Sequence, residues 1–492
     1  MNDLLIPTID THDHSCTICI SKAESEENLG KMMEEYYDNY KTSQDFEGSD
    51  ILWLYGEEMG EYDREMFHDF KGFINKIYGT MIFKHKDLQY TVMNQCKKYH
   101  ADKYGFHPAS YTLMKEFDLM QEDIRASGRA KSWIAKPSEG LEGSDIFCFD
   151  TFEELMARGV QDGMVAQQYI HNPLLLKGRK WDARMYLIIH GVNPMRGYVT
   201  FDTGFARVCT DEYERGNVTN PHATITNGLR NIDHPNYVSE PENEEDEDQV
   251  YHRYPLTRAW ELVSENLDDP EADLEKMKQG VKDLANSLLR CYRSSIEAEQ
   301  ADFMEMDGAR DKNDKLFNIL GLDVMFDADL RPWLFETNRN PGMSLTYPML
   351  NEEGVVIQKN SKIATGVKCN LINEVAKILI GKEDSKSFAK IYDSSDLEGG
   401  DADFIYEKVF RLFKNLCGTK LTRTLSIHSF ISYINQVAED FTEDIHCDEV
   451  INRVELKSRE ELTLPEFFSG LEVLAETVSM SLPTFLTRIE AE

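Results

Sequence analysis

The chain has 492 residues, enough for about three domains, and an apolar content of 41% that suits packed cores. Its formal charge of −35 argues against general nucleic-acid binding and against attachment to anionic membranes, since both need clustered Lys and Arg. No apolar run approaches the roughly 18 residues of a membrane span, and nine scattered cysteines without a dense framework read as reduced thiols.

In chain order, the start MNDLLIPTIDTHDHSC has no basic stretch followed by an apolar one, so no secretory signal is expected. Up to Phe70 there are 18 Asp and Glu against 4 Lys and Arg, which predicts a solvated, mobile segment over 1–50. Within it His12, His14, Cys16 and Cys19 offer four donors to Zn²⁺, although such a cluster in a polar segment is more often incidental. An N-terminal α/β domain is expected over 51–110. There ILWLYG reads as a short strand, and Glu61–Gly79 has helical spacing.

A central domain is expected over 111–200, with short strands in SWIAKP and MVAQQYI. WDARMYLIIHGVNPMRGYVTF reads as two strands joined at Asn193-Pro194. A third domain, 201–385, carries an acidic insert over 237–250 that reads as a solvated loop. In Asp273–Phe303, residues Leu274, Met277, Val281, Leu284 and Leu288 recur at three and four, which predicts an amphipathic helix. LFNILGLDVMFDADLRPWLFE then predicts a hairpin turning at Asp327–Asp329. A linker over 386–402 leads to a helical unit over 403–492. The mixture of elements indicates α/β (α+β) architecture.

Three features carry chemistry. Lys136 ends a predicted strand just before Gly140 and Gly143; glycines let backbone amides approach phosphate, and lysine adds a point charge. The spacing is not that of a P-loop, and alone such a lysine is more often surface. In GRKWDARMYL, strand alternation puts Lys180, Asp182 and Arg184 on one face, opposite Trp181, Ala183 and Met185. This row alone is more often a self-satisfied ladder; Arg207 adds a cation on the neighbouring strand. Asp323 and Glu336 face each other across the predicted hairpin, with Asn338 beyond. Two facing carboxylates repel unless a cation separates them, which suggests Mg²⁺.

Taken in order, Lys136 with its glycines, VAQQYIHNPLLL, GRKWDARMYLII, GFARVCTDEY, NVTN and LGLDVMFDADLRPWLFETNRNP resemble the tubulin-tyrosine-ligase-like family over about Ile51–Ile380. The resemblance implies an ATP-grasp-type core. It implies ATP held by Lys86, Lys136 and the turn with Gly140 and Gly143. Gln167, Gln168, Tyr169 and Ile170 would form the adenine hinge, Lys180 and Asp182 would approach adenine and ribose, and Thr219 and Asn220 would face nucleotide and substrate. Arg184, Arg207 and Glu336 would be catalytic, and Asp323, Glu336 and Asn338 would hold Mg²⁺.

The implied reaction is ATP-dependent amide-bond formation through an acyl-phosphate, in which arginines and Mg²⁺ stabilise the charge of the transferring group. The wording NPLLLKGRKWDARMYLII and GFARVCT is most similar to the glutamate-transferring branch. That implies glutamate addition to acidic C-terminal tails of tubulin or microtubules, with accessory subunits as further partners. The implied setting is cytoplasmic and cytoskeletal, including cilium, axoneme or basal body. Glycine or tyrosine transfer, another acceptor, and a non-enzymatic structural role remain alternatives. The family's HLTN motif has Asn217 in its first position here. From about Asp401 the chain resembles a degenerate EF-hand pair. Leu425 and Leu462 stand at central loop positions, and the loop residues Gly418, Lys420, Thr422, Glu455, Lys457, Arg459 and Glu460 do not suit Ca²⁺.

Overall fold

The computed structural model describes residues 16–20, 30–35, 37–43, 47–54, 67, 69–128, 131–138, 145–161, 163–241, 245–306, 314–381, 385, 387–396, 405–417, 424–441, 445–454 and 460–489. Strands β1 (Cys16–Ile20), β2 (Tyr40–Ser43), β3 (Ile51–Trp53) and β4 (Phe73–Ile74) form a parallel sheet in the order β2-β1-β3-β4. Strands β5 (Ser110–Thr112), β6 (Trp133–Pro137), β7 (Phe147–Phe149) and β8 (Met164–Gln168) form an antiparallel sheet in the order β5-β8-β6-β7.

The largest sheet has six strands: β9 (Trp181–His190), β10 (Arg196–Val208), β11 (Arg253–Pro255), β12 (Phe317–Phe326), β13 (Pro332–Asn338) and β16 (Phe388–Asp393). Its order is β11-β10-β9-β12-β13, with β16 pairing β10 and every pairing antiparallel. Between them, β14 (Thr346–Leu350) and β15 (Val356–Asn360) make a separate hairpin.

Alternation along β9 organises the core. Trp181, Ala183, Met185, Leu187 and Ile189 pack into the cluster that contains Met277, Val281, Leu284 and Leu288 of the helix Pro270–Met306. Burying one such aliphatic side chain is worth roughly 1.5–3 kcal/mol. On the other face, Tyr186 and Ile188 pack with Ile363, Val367 and Leu371 of the helix Lys362–Ala376. Asp182 and Arg184 occupy that second face at the end of the strand where the apolar layer stops. The register of β10 against β9 shifts between Val199 and Gly204. A Cβ on Gly204 would stand 2.4 Å from the Arg184 carbonyl oxygen, so any side chain there would displace the strand carrying Arg184.

Four expectations need correction. The acidic segment 1–50 is not wholly solvated, because β1 and β2 lie in the first sheet. The apolar run CTICI supplies that strand from within acidic flanks. Cys16 and Cys19, three apart on the strand, point into different apolar clusters, which rules out a shared zinc ion; His12 and His14 lie outside the described residues.

Phe67 and Asp69 are helical, as the spacing over Glu61–Gly79 predicts, but further on the helix gives way to β4 and a 3₁₀ turn at Tyr78–Lys84, since pairing with β3 satisfies Phe73 and Ile74; 55–66 and 68 lie outside the described residues. The expected linker over 386–402 contains β16, whose Phe388 and Tyr392 are buried against the main sheet. In the acidic insert, Glu240 is buried. It accepts from Ser361 Oγ at 2.6 Å and from the Lys362 amide at 3.0 Å, which holds the start of the helix Lys362–Ala376. Glu245 pairs with Arg258 at 3.0 Å.

The C-terminal region is a helical unit of two paired halves. Helices Ile405–Cys417 and Ile427–Phe441 flank β17 (Thr424–Ser426), and helices Cys447–Arg453 and Leu464–Thr477 flank β18 (Glu461–Thr463). The two strands pair antiparallel with Leu425 opposite Leu462. The expected loop residues Gly418, Lys420, Thr422, Glu455, Lys457 and Arg459 lie outside the described residues. The unit is tied to the helix Lys86–Tyr99: Gln95 Nε2 donates to the Pro465 carbonyl at 3.1 Å, and Tyr99 donates to Glu472 at 2.6 Å. No helix among the described residues is long and apolar enough to cross a membrane.

Candidate active site

The face of β9, β10, β12 and β13 that carries Asp182 and Arg184 looks toward the end of β6, and charged side chains from both sheets meet there. In register, Asp323 lies opposite Arg184 on β9 and opposite Glu336 on β13. Arg207 lies opposite Asp182. These pairings depend on a register shift in each hairpin, between Asp323 and Val324 and between Val199 and Gly204, and a further one-residue slip would send the charged residues to the apolar face.

Asp323 is the hub. Both its oxygens accept from Arg184, Oδ1 from Nε and Oδ2 from Nη2 at 2.9 Å, and Arg207 Nη2 also lies 2.9 Å from Oδ2. Burial would raise the Asp323 carboxyl, but the two guanidiniums outweigh it and hold the group well below the usual carboxylate range. Arg207 Nε reaches Asp182 Oδ1 at 2.6 Å, and Thr226 Oγ1 donates to Asp182 Oδ2.

Glu336 Oε1 stands 3.2 Å from Lys86 Nζ. Asn338 is satisfied when its carboxamide oxygen accepts from Arg184 Nη2 at 3.2 Å and its nitrogen donates to Glu336 Oε1 at 3.3 Å. The facing carboxylates are therefore separated by Lys86, Arg184 and Arg207, and their repulsion does not in itself require a metal. In kind the donors still fit Mg²⁺, being two carboxylates and a carboxamide oxygen at adjacent strand positions.

Lys136 crosses from the smaller sheet to the larger. Its Nζ donates to Gln167 Oε1 at 3.1 Å and to the Phe335 carbonyl at 3.2 Å, and it lies 5.4 Å from the Tyr90 ring centroid. Burial brings its ammonium down to about 8, with Glu336 opposing the shift and Lys86 reinforcing it. Lys180 donates to the Thr224 carbonyl at 2.8 Å and sits 4.1 Å from the Tyr169 ring centroid. Burial lowers its ammonium as well.

Among the hinge positions, Gln167 is buried with its side-chain nitrogen donating to Ser110 Oγ at 3.2 Å. The amides of Gln168 and Tyr169 donate to the carbonyls of Ala109 and Ser132. Tyr169 and Ile170 are buried.

The side chains of Thr219 and Asn220 are engaged in local bonds. Thr219 donates through its amide and hydroxyl to Asn217 Oδ1 at 3.1 and 2.7 Å, and Asn217 donates to Glu214 at 2.8 Å. Asn220 donates to Asp211 at 2.8 Å and its side-chain oxygen caps the His222 amide at 3.0 Å. The loop meets the cluster instead through Thr224 and Thr226, the contacts of Lys180 and Asp182. Gly140 and Gly143 lie outside the described residues.

Three participants had no distinctive local signal. Tyr90 donates to the Phe335 carbonyl at 3.2 Å, Thr226 holds Asp182, and Ser138 Oγ donates to Asp87 at 2.6 Å beside Lys86. A cleft of about 790 Å³ opens next to Ser138, lined by His85, Asp87, Phe147, Arg158 and Arg230. The arrangement can hold a polyanion: five Lys and Arg side chains surround a strand pair that presents carboxylate and carboxamide oxygens.

Comparison with known proteins identifies the family. A family model described as the tubulin-tyrosine ligase family matches residues 67–355. The probable beta-tubulin polyglutamylase of Tetrahymena thermophila is 26% identical over 339 residues, covering 68% of this chain and 27% of that protein. Tubulin polyglutamylase TTLL13 of Mus musculus is 28% identical over 292 residues, 57% of this chain and 33% of that protein. Tubulin polyglutamylase ttll6 of Danio rerio is 26% identical over 303 residues, 61% of this chain and 36% of that protein. The match thus spans between a quarter and two fifths of the length of these three relatives.

Proposed function

The chain belongs to the tubulin-tyrosine ligase family, and from that premise we propose that it is an ATP-dependent protein amino-acid ligase that adds glutamate to glutamate side chains of acidic tubulin tails. The carrying observation is the single cluster in which Lys86 pairs with Glu336, Arg184 and Arg207 pair with Asp323, Asn338 joins Arg184 to Glu336, and Lys136 and Lys180 lie alongside at the Phe335 carbonyl and ring. The choice of glutamate and of tubulin is supported by the printed names of the relatives and by the strand wording around Lys180 and Arg207.

A carboxylate is a poor acyl donor at neutral pH, and phosphorylation by ATP would make it reactive. Lys86 and Lys136 would position the phosphates as point charges, while Arg184 and Arg207 would face the charge that develops on the transferring group. Lys180, pressed on Tyr169, would border the base. Asp323, Glu336 and Asn338 would hold Mg²⁺, which would supply charge neutralisation to the phosphates. Asp323 also fixes both arginines before substrate arrives, so their orientation costs little at the moment of reaction. The C-terminal unit serves in this reading as a degenerate EF-hand-like docking module for a partner.

A net charge of −35 favours one second reading, the same chemistry on an acceptor other than a microtubule, since like charges slow encounter with acidic tails. Intact-mass spectrometry of tubulin tails after incubation with the chain, Mg·ATP and mixed amino acids tests both. Glutamate additions that vanish in Glu336→Gln support the first. No addition with Mg·ATP binding intact turns the assignment to another acceptor. Absence of Mg·ATP binding as well leaves a structural role.

A further inference from the structure

We propose that Cys96 and Cys291 form a modification site, closing to a reversible intramolecular disulfide between the helices Lys86–Tyr99 and Pro270–Met306. Their sulfurs lie 2.7 Å apart although 195 positions separate them in the chain. Even carbon atoms, smaller than sulfur, stand about 3.5–4.0 Å apart in ordinary contact, whereas a disulfide bond is about 2.0 Å long. The pair is therefore nearer to bonding distance than to contact distance. Two further bonds join the same region: Tyr292 donates to the Gln89 carbonyl at 2.7 Å, and Tyr104 donates to the Ser287 carbonyl at 3.1 Å.

The electrons require an acceptor, here a small disulfide such as oxidised glutathione. One cysteine thiolate attacks it, forming a mixed disulfide and releasing one glutathione thiol. The second cysteine displaces the other glutathione, so two protein thiols become one S–S bond and the two protons end on the released thiols. Both cysteines are buried, and burial pushes the Cys291 thiol well up, followed in size by the effect of Cys96. Exchange therefore proceeds through transient opening of the helical layer, and the closed bond is shielded from reductant. Closure staples the helix that begins at Lys86 to the long helix behind the main sheet.

The test uses the full chain, equilibrated with oxidised glutathione in urea below the unfolding transition, returned to buffer, then denatured, alkylated and mapped by mass spectrometry. The expected product is a cross-linked peptide pair joining Cys96 to Cys291, two hydrogens lighter than the free peptides and lost on reduction. It is accompanied by a Tm higher than that of the reduced chain. Cys96→Ala and Cys291→Ala each remove the cross-link, but the mapping in the unaltered chain does not depend on either variant folding. Full alkylation of both cysteines, separate glutathionylation of each, or bridging of either to a different cysteine overturns the proposal.

Discussion

Glu336 Oε1 and Lys86 Nζ stand 3.2 Å apart, joining the end of β13 to the first residue of the helix Lys86–Tyr99. Both are partly shielded from water, Glu336 with 27% of its side chain exposed and Lys86 with 9%. Glu336→Gln keeps the shape and removes the charge. Ligase activity is expected to fall by about 10²–10³-fold, while stability changes by no more than about 1 kcal/mol. A coupled phosphate-release assay and a thermal melt on the same preparation separate the two. Full activity in the variant would remove Glu336 from the machinery.

Asp323 behaves differently because the carboxylate itself is buried, with 9% of its side chain exposed against 27% for Glu336, and it is shared by two guanidiniums. Asp323→Asn leaves the guanidinium of Arg184 without its counter-charge and that of Arg207 with Asp182 alone. The expected loss is about 3–5 kcal/mol, the usual consequence of breaking a buried pair by removing one partner. Urea unfolding at neutral pH reads it as a lower midpoint with an unchanged slope. A shift below about 1 kcal/mol would mean that water reaches the arginines and takes over.

Lys136, brought down to about 8 by burial, loses its proton in the free protein as pH rises through that value. Bound phosphate favours the charged form, so ATP binding near pH 8.5 is expected to take up a proton. Calorimetry in two buffers of different ionisation enthalpy would show the uptake. Lys136→Met is expected to abolish it and to weaken Mg·ATP binding by about 10–100-fold, the equivalent of one charge-assisted hydrogen bond.

His252 sets an acid limit. Burial, followed by the charge on Arg253, holds its imidazole down at about 3, and Nδ1 lies 2.8 Å from the Val208 carbonyl. The unfolded chain therefore binds a proton between about pH 6.5 and 3 that the folded chain does not. The stability linked to this group is present above pH 6.5 and lost as pH falls through that window. His252→Gln is expected to flatten the pH dependence of the urea midpoint between pH 6.5 and 4; an unaltered slope would assign the dependence to other groups.

Strand pairing explains why so much of the cluster was readable. Along β9 and β12 the residues alternate with a period of two, while register shifts between Val199 and Gly204 and between Asp323 and Val324 set Arg207 opposite Asp182 and Asp323 opposite Glu336. Side-chain direction therefore follows from position. The acidic flanks hid β1, because four apolar or thiol-bearing residues in a five-residue strand are too few to outweigh their surroundings in a composition average. β16 was hidden in the same way by the polar run that follows it. Tyr90, Ser138 and Thr226 gave no local signal, since a single hydroxyl has no periodicity.

By itself the sequence determined the strand periods, the long amphipathic helix, the mixed α/β class and the residue types placed along one face of β9, β10, β12 and β13. These are local properties of the chain, set by backbone geometry over a few residues. Only the tertiary structure decided that Lys136 crosses between sheets to the Phe335 carbonyl, that Asp323 is shared by two arginines, and that Lys86 meets Glu336. It also decided that Cys96 meets Cys291. Each of these depends on how separate elements pack, and packing brings together residues that no spacing in the chain relates.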